Sequence, residues 1–208
     1  LDISGFCLTA LFADTYGMKG CRPLTDPEVE AVLARIRGPR NRALFLVGVR
    51  TGFRISELLS LRLRDVVQNG KTVDRIAVAR RHMKKKREGR TVVLHPEARQ
   101  ALERWVKRLT GSGHKDPDTL LFRSREGENQ AMNRRTAWHM LRRAYAAAGL
   151  TGKLGTHSMR KTFAKRVHKA LGNDLLKTQK ALGHASVEST VSYLDVDSGE
   201  IEDAILKS

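Results

Sequence analysis

The sequence predicts a mainly α domain that carries a small antiparallel β-sheet. Three observations support this. Apolar residues recur at helical spacing through most of the chain. The spacing gives way to period-two alternation around residues 76–94. The hydrophobic fraction, 40% of 208 residues, is enough to bury one core. No internal repeat or low-complexity segment interrupts the pattern, so the class is α+β.

The elements follow in order. Thr25 and Glu28 have capping-box spacing, Pro27 suits a first turn, and Val29, Val32, Leu33 and Ile36 repeat on one face. Gly38 and Pro39 are expected to stop this helix. A second helix is expected over 40–50, with Leu44, Phe45 and Val47 inward, and Thr51-Gly52 breaks it. Ile55, Leu58, Leu59 and Leu61 begin a third. Ile76 and Val78 alternate with small or polar residues and read as a strand, with Val92, Val93 and Leu94 as another. Between them, His82 to Arg90 reads as a basic hairpin loop. Pro96 opens a helix through Ala101, Leu102, Trp105, Val106 and Leu109, and a Gly/Ser/Asp/Pro-rich loop covers 111–118. The remainder is expected to be helical, with breaks at Gly149–Gly155, Gly172, Gly183 and near Asp197. Asp197 and Glu200 repeat the capping-box spacing, and Ile201, Ala204 and Ile205 share a face, which predicts a short helix at 198–206.

Charge narrows the partner. Lys and Arg total 39 against 22 acids, a net of +17. Five of those acids (Asp195, Asp197, Glu200, Glu202, Asp203) and one base (Lys207) follow Tyr193, so an acidic tail ends a strongly basic body. A body this basic calls for a polyanion, and nucleic acid leads because phosphates give up counterions favourably to Lys and Arg. An anionic membrane surface would need an amphipathic basic helix with an exposed apolar face, and none stands out. No apolar run is long enough to span a bilayer. Phe6 to Ala13 lacks the basic flank of a signal peptide. Cys7 and Cys21 sit in no CxxC pair, so they read as free thiols in a reducing compartment.

Three stretches carry chemistry. Arg54 stands just past a helix-breaking Gly, where a guanidinium can point into a cleft; alone it would pass for a surface arginine. His157 and Arg160 are three residues apart, so a helix projects them together, although a lone HxxR is weak. Leu182-Gly183-His184 precedes Tyr193 by nine residues, counted from the histidine. In this order and spacing the chain resembles the tyrosine recombinase (integrase) family. TGFRISELLSLRLRD is similar to the family's first box, HSMRKTFA to its second, and LGHASVESTVSYL to its segment from LGH to the tyrosine. The resemblance covers roughly 22–195 and implies the fold of a tyrosine recombinase catalytic domain. It also implies site-specific cutting and rejoining of double-stranded DNA through a 3′-phosphotyrosyl intermediate at Tyr193.

The residues suit that chemistry. Cleaving a phosphodiester without a metal needs cationic donors for the crowded transition state, an in-line nucleophile, help for its proton, and an acid for the departing oxygen. Arg54 and Arg160 are the expected clamp, since a planar fork bonds two oxygens. His157 is expected to assist proton transfer at Tyr193, His184 to hydrogen-bond the phosphate, and Glu57 to steady the clamp. A free phenol ionises near pH ~10, so attack by a tyrosine depends on neighbouring cations. The resemblance places the general acid in the basic hairpin: Lys84 first, then Lys85, with Lys85, Lys86 and Arg87 as DNA contacts. Tyr145, in an Ala-rich helix, reads as packing, and His82, His95, His114, His139 and His168 as surface or structural residues. No acidic or histidine cluster has ligand spacing, so no catalytic metal and no cofactor is expected. Nor is there a GxxxxGKS/T loop, consistent with a covalent intermediate that keeps the bond energy.

The expected organisation is a tail or linker remnant at 1–22, a catalytic domain at 23–195 and an acidic tail helix at 196–208. Family members usually carry a separate N-terminal domain that clamps the other face of the DNA. A chain with so short a leader reads as a fragment or a short member. The expected partners are DNA and further copies, up to a tetramer on DNA, with no membrane, in the cytoplasm and associated with the nucleoid, the source being a prokaryote or a phage or other mobile element. The alternative is a non-enzymatic helix-turn-helix protein built on 174–193 with its turn at 183–186, which would account for the charge but not for the Arg54 box.

Overall fold

The computed structural model describes residues 20–78, 90–194 and 206. Its elements run α1 (Asp26–Arg35), α2 (Pro39–Thr51), α3 (Ile55–Ser60), α4 (Leu63–Val66), β1 (Val67–Gln68), β2 (Lys71–Thr72), β3 (Arg75–Val78) and β4 (Arg90–Val93). Then come α5 (Pro96–Gly111), α6 (Arg134–Ala147), α7 (Thr156–Ala170), α8 (Leu175–Leu182) and α9 (Val187–Val191). The capping box of α1 forms as its spacing predicts, with Glu28 N–H donating to Thr25 Oγ1 and Thr25 N–H to Glu28.

α2 is the axis of the domain. Every residue from Ala43 to Val49 is buried, so this helix is apolar all round and enclosed by its neighbours, chiefly α5 and α7. α5 supplies Ala98, Ala101, Leu102 and Leu109 from one face, and α6 adds Ala137, Leu141, Ala144 and Tyr145. α7 closes the core with Met159 and Ala164. Outside the helices, Trp105 Nε1–H donates to the Leu121 carbonyl at 2.8 Å, tying α5 to the segment that follows it.

The sheet is two antiparallel ribbons rather than one. β3 and β4 pair with Ile76 opposite Val92 and Val78 opposite Arg90, as expected of the strands flanking the basic loop. β1 and β2 form a second hairpin whose turn is Asn69-Gly70, both at positive φ (51° and 73°). That dipeptide is a strong hairpin signal, and the sequence reading passed over it. Pro39 does not stop α1; it opens α2, where its missing N–H costs nothing. The expectation of helix after residue 118 fails over 119–133. There the apolar run Leu120-Leu121-Phe122 spends its backbone groups on extended partners. Leu121 N–H donates to the Leu61 carbonyl at 2.8 Å, Leu63 N–H to Thr119 at 2.9 Å, and Met132 N–H to Phe122 at 2.8 Å. The helix expected at 198–206 lies outside the described residues except for Leu206, which is helical and exposed. Cys7 also lies outside them, and Cys21 is a free thiol.

Candidate active site

The end of α2 starts the site. Gly52 adopts φ +62°, and a Cβ there would stand 2.3 Å from the Phe163 ring, so only glycine lets the chain turn this close to α7. The turn delivers Arg54 to the N-cap of α3. Glu57, 1% exposed, accepts from the Arg54 backbone N–H at 2.7 Å and from its guanidinium at 3.0 Å. One buried carboxylate therefore fixes both the root and the tip of Arg54, while that side chain keeps 38% of its surface open to solvent.

The start of α7 supplies the next two groups. Tyr145, the expected packing residue, is buried and donates its hydroxyl to the Gly155 carbonyl at 3.2 Å, and Ser158 Oγ accepts from Gly155 N–H at 3.1 Å. Between them these bonds hold the first turn, from which His157 and Arg160 project one turn apart. Arg160 is 1% exposed. One of its terminal nitrogens donates to the Gly52 carbonyl and the other to the Leu182 carbonyl at 2.8 Å. Both acceptors lie at helix C-termini, α2 and α8, where the helix dipole favours a cation. α8 can end there because Gly183 takes φ +62°. Burial, then Arg54, pulls the Arg160 pKa down to about 10, against Glu57 and Tyr193, so it stays cationic at neutral pH.

Tyr193 arrives just past α9. Its backbone N–H donates to Thr190 at 2.9 Å, and its hydroxyl lies 3.1 Å from His157 Nδ1. The Arg160 guanidinium carbon is 5.7 Å from its ring centre, and the ring of buried His184 is 5.0 Å away, with His184 Nδ1 3.0 Å from Thr190 Oγ1. His157 is exposed by surface area, yet its ring is crowded enough by protein for desolvation to lead its shift. Desolvation first, then Arg160, Arg54 and Lys161, push its pKa below the usual 6.5. With the His157 proton on Nε2, its Nδ1 can accept a hydrogen bond from the Tyr193 hydroxyl.

Six of the sequence-derived candidates thus gather in one place: Arg54, Glu57, His157, Arg160, His184 and Tyr193. Lys84, Lys85, Lys86 and Arg87 lie outside the described residues, bracketed by the Val78–Arg90 pair. Sequence reasoning missed Arg90, which is 8% exposed and donates to the Thr51 carbonyl at 2.7 Å, next to the carbonyl that Arg160 holds. Alternation carried the signal: Arg90 shares a strand face with Val92 and Leu94, where an apolar residue belongs. Of the remaining histidines, His95 N-caps α5 and His168 lies 3.0 Å from Thr178 Oγ1, both structural uses. Elsewhere, Arg35, Arg37, Arg40, Arg125, Arg134 and Arg143 line a groove in which Glu126 is the one acid among the described residues.

Residues 22–200 match the phage integrase family. The chain belongs to this family. Tyrosine recombinase XerD of Pseudomonas putida is 28% identical over 191 residues, 87% of this chain and 59% of its own length. Tyrosine recombinase XerC of Caldanaerobacter subterraneus is 27% identical over 189 residues, 89% of this chain and 50% of its own. The chain therefore spans only half to three-fifths of those two relatives. Type 1 fimbriae regulatory protein FimE of Escherichia coli K12 is 30% identical over 179 residues, covering 83% of this chain and 84% of its own. Among solved structures, the XerA recombinase superposes with a TM-score of 0.73 at 26% identity, over 94% of this chain and 66% of that one. XerH bound to palindromic difH substrate in a post-cleavage complex superposes with 0.70 at 27%, over 90% and 53%. The fold is that of a tyrosine recombinase catalytic domain. No helix among the described residues is long and apolar enough to cross a membrane.

Proposed function

We propose that the chain cuts and rejoins DNA at specific sites through a covalent bond to Tyr193. The observation that carries this reading is the Tyr193 hydroxyl, 3.1 Å from His157 Nδ1 and beside a buried guanidinium. Arg54 and Arg160 take the non-bridging oxygens of the scissile phosphate, with Glu57 holding Arg54 in place. The Tyr193 oxygen attacks phosphorus, its proton passes to His157, and the bond to the 5′ oxygen breaks as that oxygen takes a proton from a hairpin lysine, Lys84 ahead of Lys85. His184 adds a hydrogen bond to the phosphate. A 3′-phosphotyrosyl link and a free 5′ hydroxyl result, and attack by a 5′ hydroxyl reverses the step without ATP.

The net charge of +17, the basic hairpin and the arginine-lined groove support double-stranded DNA as the partner. The same reading has the chain act as an oligomer of up to four copies on DNA, in the cytoplasm of a bacterium, with 23–195 as the catalytic unit, 1–22 as a linker and 196–208 as a tail. The helix-turn-helix alternative fits poorly. α9 has five residues, too few for a recognition helix, and its end presents Tyr193 to His157.

The test is capture of adducts from a pool of nicked duplexes randomised across the cleavage region. A nick beside the cut lets the short 5′ strand diffuse away, which traps the covalent link. Wild-type protein is expected to yield a denaturant-resistant adduct from a recoverable sequence. Tyr193→Phe is expected to bind that duplex normally and form no adduct. Adducts from Tyr193→Phe, or none from the wild type, would overturn the assignment.

A further inference from the structure

Arg90 is a buried cation that the proposed chemistry does not use. It opens β4, opposite Val78, at the base of the loop that carries Lys84 to Arg87. Its guanidinium lies 5.4 Å from the Phe53 ring centre and 5.7 Å from that of Phe163, so two aromatic faces hold it. Phe53 directly precedes Arg54, and Phe163 is the ring that forbids a side chain at Gly52. One terminal nitrogen of Arg90 donates to the Thr51 carbonyl, and the other has no hydrogen-bond partner among the described residues. α2 therefore ends in two successive carbonyls, each held by a different buried arginine: Thr51 by Arg90 of β4 and Gly52 by Arg160 of α7.

This arrangement costs stability. Burial and the nearby Arg160 lower the Arg90 pKa to about 9, and a buried donor without a partner among the described residues carries a desolvation penalty. An apolar side chain of similar volume in such a place is often neutral or better for folding. Cohesion alone does not account for an arginine here. What an arginine does, and an apolar residue cannot, is lock three elements to one another at a fixed separation: the turn before Arg54, the α7 face bearing Arg160, and strand β4.

We propose that Arg90 is a positioning residue for strand cleavage. It sets the Arg54–Arg160 clamp at one fixed geometry around the scissile phosphate without touching the DNA. This rests on the strand-cleaving reading above. Displacement of a reacting group by about 1 Å costs roughly 100-fold in rate, so the effect belongs in the chemical step and not in affinity.

The experiment compares wild type, Arg90→Met and Arg90→Lys on the nicked duplex recovered above, with Trp105→Phe as a control. That control loses a half-buried hydrogen bond between α5 and the segment after it, made by none of the site residues. Three quantities are measured: the duplex Kd, the single-turnover cleavage rate at saturating protein, and the guanidinium NMR signals of Arg54 and Arg160 without DNA. Arg90→Met is expected to keep Kd within about threefold and to slow cleavage roughly 10- to 100-fold, with the Arg160 signal displaced. Arg90→Lys is expected to recover part of the rate, because an ammonium still reaches for the Thr51 carbonyl. Wild-type cleavage and unmoved arginine signals in Arg90→Met would overturn the proposal. So would rate and affinity losses that fall together and match those of Trp105→Phe at equal loss of melting temperature. Absence of cleavage by the wild type instead sinks the strand-cleaving reading, and the arginine signals still report on Arg90.

Discussion

Replacing Gly52 by alanine strains the junction on which both Arg54 and Arg160 depend. Two costs arise. At φ +62° an L residue sits in the left-handed region, which costs roughly 1–2 kcal/mol. The added Cβ would stand 2.3 Å from Cδ1 and 2.8 Å from Cγ of Phe163, so the ring must move or α2 and α7 must part. Overpacking of that kind typically costs about 1–3 kcal/mol. The expected total is roughly 2–5 kcal/mol, a large share of the 5–15 kcal/mol that holds a typical domain together. Urea unfolding of wild type, Gly52→Ala, Phe163→Ala and the double variant separates the two. Without the ring, only the Phe163 Cβ remains, at 3.1 Å, and Gly52→Ala should then cost little beyond the backbone penalty. Because the Gly52 carbonyl holds Arg160, adduct formation by Gly52→Ala should fall more than binding does. A cost below about 1 kcal/mol, or the same cost with and without the Phe163 ring, would refute the reasoning.

Other outcomes follow from the same geometry. His157 must be neutral to take the Tyr193 proton, and its pKa lies below 6.5, so cleavage efficiency should be flat through neutral pH and fall only below that value; a profile still rising above pH 7, or an unchanged acid limb in His157→Gln, would count against the base. Arg160→Lys should cut cleavage ~100- to 1,000-fold, since one ammonium cannot serve the phosphate together with the Gly52 and Leu182 carbonyls; near-normal single-turnover rates would remove it from the clamp. On a substrate with sulfur as the 5′ bridging atom, whose departure needs no proton, Lys84→Ala should regain its rate while neither Lys85→Ala nor Lys86→Ala shows that selective rescue; if none of the three is rescued, the acid lies elsewhere. Tyr145→Phe frees a buried carbonyl and should cost about 1–2 kcal/mol in urea unfolding without loss of DNA affinity; no change would mean that its bond to Gly155 does not hold the start of α7.

Much of this protein is written locally. The capping box of α1, the amphipathic face of α5 and the alternation flanking the basic loop are near-neighbour patterns, and each element forms where its pattern lies. The Arg54, His157–Arg160 and His184–Tyr193 stretches were legible because, taken together in order and spacing, they resemble the boxes of the tyrosine recombinase family; each alone is a weak pattern. The same reading failed over 119–133. A run such as Leu120-Leu121-Phe122 is apolar enough for helix or strand, and the Leu61 carbonyl that takes the Leu121 N–H lies sixty residues away in sequence.

What the tertiary structure alone decided is how those stretches meet. No spacing says that Arg160 holds the Gly52 and Leu182 carbonyls, or that His157 Nδ1 faces the Tyr193 hydroxyl thirty-six residues on. The cause is packing: α7 lies against both α2 and α8, so the C-termini of two helices and the start of a third converge on one buried guanidinium. Arg90 is the plainest case. In the sequence it is one more base in a basic hairpin. It becomes a fixed, buried cation only because β4 turns its inward face onto Phe53, Phe163 and the Thr51 carbonyl at the end of α2.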